Sequence, residues 1–201
     1  TIADDAVRRI GENFPGWEIT GESVFGKPAV ELIKKADQWK PDLLVVGSHG
    51  RSAVGRLILG SVSQKVLYEA RCSVRIAKTR VETENTAARV LVAVDGSSNA
   101  EETVRKVAAR KWKKEDEIRL IAVDDPFTRP ELGYLLWNHE EDKPEDNEES
   151  REWIKKVFDS PRQILKTAAP NVTEVIRWGD AASIILNEAE EWKADSIFLG
   201  A

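Results

Sequence analysis

Sulfur-containing residues, long apolar runs and excess positive charge are all scarce in this sequence. Its 201 residues include one cysteine, Cys72, and no methionine. A single cysteine excludes an internal disulfide and suits a reducing cytosol, so we expect a cytoplasmic location. No apolar run approaches the length of a membrane span, and nothing near Thr1 has the pattern of a signal peptide, so no membrane partner is expected. The net charge of −5 argues against nucleic acid as a partner, because binding a phosphate backbone needs a basic face.

The sequence repeats itself once, at an offset of 153 residues and without a gap. The segment from Gly26 to Gly47 returns as the segment from Gly179 to Gly200. The identical positions are Gly26, Ala29, Ala36, Trp39, Lys40, Asp42 and Gly47, which recur as Gly179, Ala182, Ala189, Trp192, Lys193, Asp195 and Gly200. A solenoid unit is much shorter than this spacing, so the repeat indicates a duplicated domain. Together with the missing methionine, the duplication predicts a piece of a longer protein.

Each copy of the repeat has the pattern of a helix followed by a buried strand. Apolar residues at the i, i+3, i+4 and i+7 spacing of a helix are Ala29, Leu32, Ile33 and Ala36, and again Ala182, Ile185, Leu186 and Ala189. The runs 43–46 and 197–199 are continuously apolar. Such runs predict strands that are covered on both faces.

The remaining pattern alternates between strands and helices. Strands are predicted at 17–24, 74–77, 90–94, 118–123 and 172–177, and helices at 61–70, 98–112 and 151–168. Alternating units of this kind predict an α/β protein with a parallel, doubly wound sheet in each copy.

Two polar stretches punctuate the pattern. Residues 79–88 are polar and lack periodicity, so we predict a first domain at 1–80, a linker at 81–88 and a second domain at 89–201. The acidic segment 138–151 has the composition of a solvated loop. A carboxylate-rich metal site is the alternative there, although its acids show no ligand spacing.

A glycine-framed segment after the strand 43–46 carries the candidate chemistry. It reads Gly47-Ser-His-Gly50-Arg-Ser-Ala-Val-Gly-Arg-Leu-Ile-Leu-Gly60-Ser61-Val62-Ser63-Gln64. Glycines let the backbone turn sharply and approach a ligand without a Cβ in the way. The backbone N–H groups of the three residues after Gly60 are expected at a helix N-terminus, which favours an anion. Hydroxyls of Ser61 and Ser63 and the charges of Arg51 and Arg56 could add to such a site.

A structural interpretation of the same segment competes with the phosphate site. Ser61 and Gln64 have the spacing of a helix capping box, which would explain Ser61 without a ligand. The segment is neither a Walker A loop, because no Gly-Lys-Ser/Thr follows the glycines, nor a dinucleotide Gly-x-Gly-x-x-Gly loop. From the residues alone, phosphate binding and a purely structural loop stay equally open.

The pattern Gly47-x2-Gly50-x9-Gly60-Ser61 resembles the nucleotide-binding signature of the universal stress protein family. The neighbouring stretches Asp-Leu-Leu-Val-Val-Gly-Ser-His-Gly-Arg, from Asp42, and Val-Leu-Val-Ala-Val-Asp-Gly-Ser-Ser, from Val90, are similar to the same family. The resemblance implies, in each domain, an open sheet of five parallel strands in the order 3-2-1-4-5, with ATP at the carboxyl ends of strands 1 and 4. That place agrees with the general rule for open α/β sheets.

The resemblance also implies which residues hold the ligand, ATP or ADP, with or without Mg²⁺. The ribose and phosphate positions are Val46, Gly47, His49, Gly50, Gly60, Ser61, Val62 and Ser63, and Arg51 is added for its charge. The adenine and ribose positions are Ala93, Asp95 and Val123. The first domain has the phosphate loop without its own first strand, and the second has Asp95 without its own loop. For Asp95, capping of the helix near Ser98 is the alternative role.

The resemblance implies a tandem protein that binds ATP as a regulatory ligand in a stress response. A slow nucleotide hydrolase using the same pocket is an alternative, although His49 is the only base that the loop offers. An interaction module without nucleotide is another, and it stays open for the second domain. We also expect an internal pseudo-dimer through the edge strands near 74–77, and two such chains could pair as a homodimer.

Overall fold

The computed structural model describes residues 1–48, 59–77, 87–124 and 148–200, with side chains for all of these except 148–151. The chain divides into two compact units, Thr1–Glu82 and Thr83–Ala201. The domain and linker limits inferred from the sequence stay a prediction, because residues 78–86 are not among those described. Within the described ranges, no helix is long and apolar enough to cross a membrane.

The first unit contains a two-stranded parallel sheet with helices around it. Its elements are α1 (Ile2–Asn13), α2 (Pro28–Trp39), β1 (Leu43–Gly47), α3 (Ser61–Glu69) and β2 (Ser73–Ala77). The strands pair in register from Leu43 opposite Ser73 to Gly47 opposite Ala77. A small core forms where α2 and α3 cover one face of the sheet, and its buried residues are Ala29, Val46 and Val66.

The second unit contains a four-stranded parallel sheet. Its elements are β3 (Arg89–Ala93), α4 (Ser98–Ala108), β4 (Glu117–Asp124), α5 (Glu148–Leu165), β5 (Asn171–Trp178), α6 (Ala181–Glu191) and β6 (Ser196–Phe198). The strand order is β5-β4-β3-β6, which is 3-2-1-4 when the strands of this unit are counted along the chain. The α/β fold with parallel sheets is therefore confirmed. The full five-strand order and the duplication stay predictions.

Alternation along the strands builds the larger core. Val90 and Val92 of β3 point to the same face as Leu120 of β4, and α4 and α5 cover that face. Phe158 and Leu165 of α5 are at most 1% exposed there. Burying side chains of this size stabilises a fold by about 1.5–3 kcal/mol each, so this face dominates the stability of the unit.

A buried ion cluster holds α6 on the opposite face of the sheet. Glu188 of α6 is 4% exposed and binds Arg119 of β4 at 2.6 Å and Arg177 of β5 at 2.7 Å. The Arg119 guanidinium also lies over the Trp192 ring, 4.2 Å from its centre. Two arginines compensate the desolvated carboxylate, so removing Glu188 would leave the partly buried Arg119 without its ion-pair partner.

The repeated residues have the same backbone conformation in both units. Gly26 and Gly179 have φ of 148° and 123°, and Lys40 and Lys193 have φ of 52° and 58°. Lys40 is the C-cap of α2 in the left-handed region, and Lys193 adopts this conformation one residue after Trp192, the C-cap of α6. In the second unit, Asp195 then accepts a 2.8 Å hydrogen bond from the Arg89 N–H. The repeat therefore encodes a shared way of ending a helix and starting the next strand.

Three expectations about the bounds or existence of elements are wrong. Residues 17–24 form no strand, because a strand needs a hydrogen-bonded neighbour and the preceding segment folds as α1, which the sequence analysis missed. The helix expected at 98–112 ends at Ala108, and the one expected from 151 begins at Glu148.

The apolar runs of β1 and β6 are not covered on both faces. Leu43 and Val45 are 45% and 54% exposed, and Ile197 and Leu199 are 37% and 59% exposed. Successive side chains of a strand point to opposite faces, and only one face of each strand packs on the cores described above.

Candidate functional site

The N-terminus of α3 is the centre of the candidate site. The helix begins at Ser61, and Gly60 before it is the N-cap, with no hydrogen bond from a capping side chain. The first regular helical bond runs from the Gln64 N–H to the Gly60 carbonyl at 2.9 Å. The N–H groups of Ser61, Val62 and Ser63 therefore have no acceptor inside the helix.

The capping box suggested by the sequence is not formed. Ser61 is the first helical residue rather than the N-cap, so its hydroxyl cannot cap the N–H three residues later. The backbone of Gly60 has φ −66° and ψ 156°, which any residue can adopt. Its conformation therefore does not require glycine, and close approach of another group is the remaining physical reason for one.

Short backbone contacts tie the end of β1 to the start of α3. The Gly60 N–H donates to the Ser48 carbonyl at 2.8 Å. The Ser63 hydroxyl lies 2.9 Å from the Gly60 carbonyl and 3.2 Å from the Ser48 carbonyl, to which it donates, and Ser63 is 2% exposed. The hydroxyl of Ser63 thus donates to backbone carbonyls inside the fold. The expected phosphate contacts of the Ser63 hydroxyl and backbone N–H stay predictions.

The predicted phosphate-site residues are only partly within the described structure. Val46 is buried at the end of β1 against the helices, and Gly47 is the last residue of that strand. Gly60, Ser61, Val62 and Ser63 follow at the adjoining helix start. His49, Gly50, Arg51 and Arg56 lie outside the described residues.

The second predicted group lies at the carboxyl edge of the other unit. Ala93 is the last residue of β3, and Val123 is half-buried near the end of the neighbouring β4. Asp95 is exposed just past β3 and accepts a 2.9 Å hydrogen bond from the Ser97 N–H. Gly96, between them, has φ of 82°, a conformation that glycine adopts without strain. The structure therefore brings Ala93, Asp95 and Val123 to one sheet edge.

Asp95 does not cap the helix that follows it. The N-cap of α4 is Ser97, whose hydroxyl accepts from the Ala100 N–H at 3.2 Å. Asp95 closes the turn before the cap instead, because its carboxylate reaches the N–H two residues later. The alternative role proposed from the sequence was therefore placed two residues too early.

A charged residue caps another helix start at the carboxyl edge of the second unit. Asp180 is the N-cap of α6 and accepts a 2.9 Å hydrogen bond from the Ser183 N–H. Hydrogen bonds from the side chain and backbone of Ser183 hold the pKa of the Asp180 carboxyl below its usual value. The negative charge also complements the positive end of the helix dipole.

Sequence analysis missed three residues that shape these sites. Ser48 supplies a backbone carbonyl to both Gly60 and Ser63, and a backbone role leaves no trace in residue type. Ser97 could have been found, since serine after an Asp-Gly turn and before a helix is a common N-cap. Gly200 packs against Asn99 and Ala100, and this contact is visible only in three dimensions.

The fold defines a class, the α/β proteins with open parallel sheets. Proteins of this class that bind ligands do so at the carboxyl ends of the strands. Comparison with known proteins gives the family. The model described as the Universal stress protein family matches residues 4–78 and 87–201. The chain therefore belongs to the universal stress protein family, as its glycine pattern indicated.

Individual relatives match parts of the chain. A universal stress protein of Methanocaldococcus jannaschii is 36% identical over 72 residues, which cover 36% of this chain and 42% of that protein. One of Thermus aquaticus is 47% identical over 53 residues, covering 26% and 39%. The solved structure of a universal stress protein from Archaeoglobus fulgidus superposes with a TM-score of 0.62 at 24% identity, covering 100% of this chain and 65% of that one. The chain thus spans about two fifths of the length of these curated relatives.

Proposed function

We propose that this chain binds an adenine nucleotide, ATP or ADP, and that the nucleotide acts as a regulatory ligand in a stress response. The phosphates would lie at the N-terminus of α3, against the backbone N–H groups of Ser61, Val62 and Ser63. Gly47, His49, Gly50 and Arg51 would complete this part of the site, as the family's signature implies.

The observation that carries the proposal is the uncapped start of α3. A helix N-terminus carries about half a positive charge and three or four free N–H donors, which suit a phosphate group. Here Gly60 offers no side chain that would compete for those donors. The bond between Gly60 and Ser48 fixes the position of the donors before any ligand arrives, which lowers the entropic cost of binding.

The second unit supports the base and ribose part of the proposal. Ala93, Asp95 and Val123 lie together at the carboxyl edge, where ligands of open α/β sheets bind. The Asp95 carboxylate accepts one hydrogen bond from Ser97 and is exposed, so it keeps acceptor capacity for ribose hydroxyls. We propose that the first unit carries the phosphate part of one nucleotide site and the second unit the base and ribose part of another.

Calorimetry on the whole chain tests the phosphate site. Gly60→Ser places a hydroxyl at the N-cap, where it would accept from the Val62 or Ser63 N–H and stabilise the helix by about a few tenths of a kcal/mol. The same hydroxyl would compete with phosphate, so ATP and ADP affinity should fall although stability rises. Lys27→Ser is the matched control, because Lys27 is the N-cap of α2 without a side-chain bond.

Equal affinity in the parent, Gly60→Ser and Lys27→Ser chains would reject the phosphate site. If the nucleotide is a regulatory ligand and not a substrate, the chain should release phosphate at a steady-state rate well below the roughly 1 s⁻¹ of slow kinases. Fast release that His49→Ala abolishes would instead favour a hydrolase.

The proposed assembly is an internal pseudo-dimer through the edge strands, with homodimers of the chain as a further step. Among the described strands, β2 is short and pairs with β1, and a short strand at the end of a sheet is a place where another strand can add. Small-angle scattering that shows two bodies separated by an extended linker would contradict it.

A further inference from the structure

Gly200, just past β6, is packed against backbone alone. A β-carbon at this position would stand 2.5 Å from the carbonyl carbon of Asn99, 2.6 Å from the nitrogen of Ala100 and 2.7 Å from the Asn99 carbonyl oxygen. A β-carbon essentially never lies within 3.0 Å of an atom outside its own residue and chain neighbours, and no side-chain rotation can relieve a clash with backbone. Glycine is therefore required here by space, and not by a left-handed φ.

The backbone atoms next to Gly200 belong to the first turn of α4, which directly follows the Asp95 turn. Ala100 donates its N–H to the Ser97 hydroxyl at 3.2 Å, and Ser97 donates its N–H to Asp95 at 2.9 Å. A chain of direct contacts thus runs from the end of β6 through the first turn of α4 to the Asp95 carboxylate. Moving the end of β6 outwards would remove the support of this turn.

We infer that Gly200 is a positioning residue for the Asp95 side of the nucleotide site. Its missing side chain lets the end of the fourth strand of this unit rest on the first turn of α4 and fixes the Asp95 turn. The inference rests on the proposed function only for the role of Asp95, because the contact itself needs no ligand. Gly200 occupies in the repeat the position of Gly47, the first glycine of the nucleotide-binding pattern.

Amide NMR of the whole chain tests the inference. In Gly200→Ala, the Ser97 and Ala100 amides should shift and exchange with solvent about tenfold faster, because overpacking against backbone strains the first turn of α4. In the parent chain, adenosine should shift the Asp95 and Gly96 amides, and in Gly200→Ala it should no longer do so. The two chains are compared at a temperature where both are folded.

Two control variants separate this role from general effects. Leu199→Ala changes the neighbouring, exposed residue and introduces no clash. In Gly11→Ala the new methyl group would meet only the Ile19 side chain at 3.8 Å. Both should leave the Ser97 and Ala100 amides unchanged. If Gly200→Ala shifts only strand residues and leaves those two amides in place, the inference is wrong.

A second measurement needs no variant and covers the case that Gly200→Ala fails to fold. In the parent chain, the Gly200 α-protons should show a nuclear Overhauser effect to the Ala100 amide, and its absence would overturn the inference. If adenosine and ATP do not bind the parent chain, the proposed function is wrong. The nuclear Overhauser effect still shows whether Gly200 contacts Ala100. If they bind and the contact is absent, the inference alone fails.

Discussion

The start of α3 and the start of α4 occupy the same kind of place, after the carboxyl end of a parallel strand, and yet they differ in what they offer a ligand. At α4 the Ser97 hydroxyl accepts from the Ala100 N–H, and the Asp95 carboxylate accepts from the N–H of Ser97 itself. At α3 the N-cap is Gly60, and it provides no side chain. Both helices carry the same dipole, so capping decides which of them keeps donors for an external anion.

The start of α2 shows that a missing cap is not sufficient. Its N-cap Lys27 makes no side-chain hydrogen bond either, but Pro28 at the first helical position has no N–H. Glu31 in the first turn adds a negative charge that would repel an anion. Among the helix starts that the structure describes, only α3 has a glycine as N-cap and three backbone N–H groups, those of Ser61, Val62 and Ser63, that can donate to a ligand.

The largest effect is expected when the open helix start is blocked. Gly60→Val places a branched side chain where the phosphate would approach, and it should remove the charge-assisted hydrogen bonds. Each such bond is worth about 1.5–3 kcal/mol, so ATP affinity should fall by about 10- to 100-fold or more. Gly50→Val should act in the same direction. Calorimetry on the folded variants measures the loss.

The matched control for Gly60→Val is Gly11→Ala, which changes a glycine in α1 away from both helix starts. It should leave the affinity unchanged and slightly raise stability, because alanine favours a helix over glycine by about 1 kcal/mol. A folded Gly60→Val chain that binds ATP as tightly as the parent would contradict the account.

The next largest effect is expected at the start of α4, which is capped by Ser97. Ser97→Ala removes the cap of α4 and should lower the unfolding free energy of the second unit by about 1 kcal/mol. The affinity for inorganic tripolyphosphate, which tests the α3 donors without the ribose contacts of Asp95, should not change, because the Ser97 hydroxyl binds its own helix. Urea unfolding followed by circular dichroism gives the first quantity, and calorimetry gives the second. An affinity loss as large as that of Gly60→Val would mean that the two helix starts do not differ as proposed.

The smallest effect is a pH dependence at the start of α6. The pKa of Asp180 is lowered in the fold by Ser183, so its stabilising contribution is complete above the unfolded value of about 3.9. That contribution is lost as pH falls through the folded value. Asp180→Ser keeps a capping oxygen that does not titrate in this range. Below about pH 4, the melting temperature of the parent chain should therefore fall more steeply than that of the variant. Parallel curves would show that the cap does not titrate as inferred.

Patterns within single segments predicted most of the fold. The repeat located α2, β1, α6 and β6, and alternation located β3, β4 and β5 within a residue or two. The strand expected at 17–24 was wrong, because residue types alone do not show whether a segment has the hydrogen-bonded neighbour that a strand needs. The α1 helix was missed although Thr1 and Asp4 form a capping box at its start.

The site was predictable only as a set of residue positions. The glycine spacing identified the loop and the helix after it, and Asp95 marked the second edge. Whether Ser61 or Gly60 is the N-cap depends on where the helix begins, a shift of one residue that the sequence does not fix. Two further contacts depend on backbone positions that no residue type encodes. They are the hydrogen bond from the Ser63 hydroxyl to the Ser48 carbonyl and the packing of Gly200 against Asn99.

Amide NMR during a titration with ATP tests the central claim most directly. The account predicts that the backbone amides of Ser61, Val62 and Ser63 shift on addition of ATP or inorganic tripolyphosphate and stay in place on addition of adenosine. The Ser97 and Ala100 amides at the capped start of α4 should not shift on addition of tripolyphosphate. If ATP binds and these three amides do not move, or if tripolyphosphate shifts Ser97 and Ala100 as strongly, the α3 helix start is not the phosphate site.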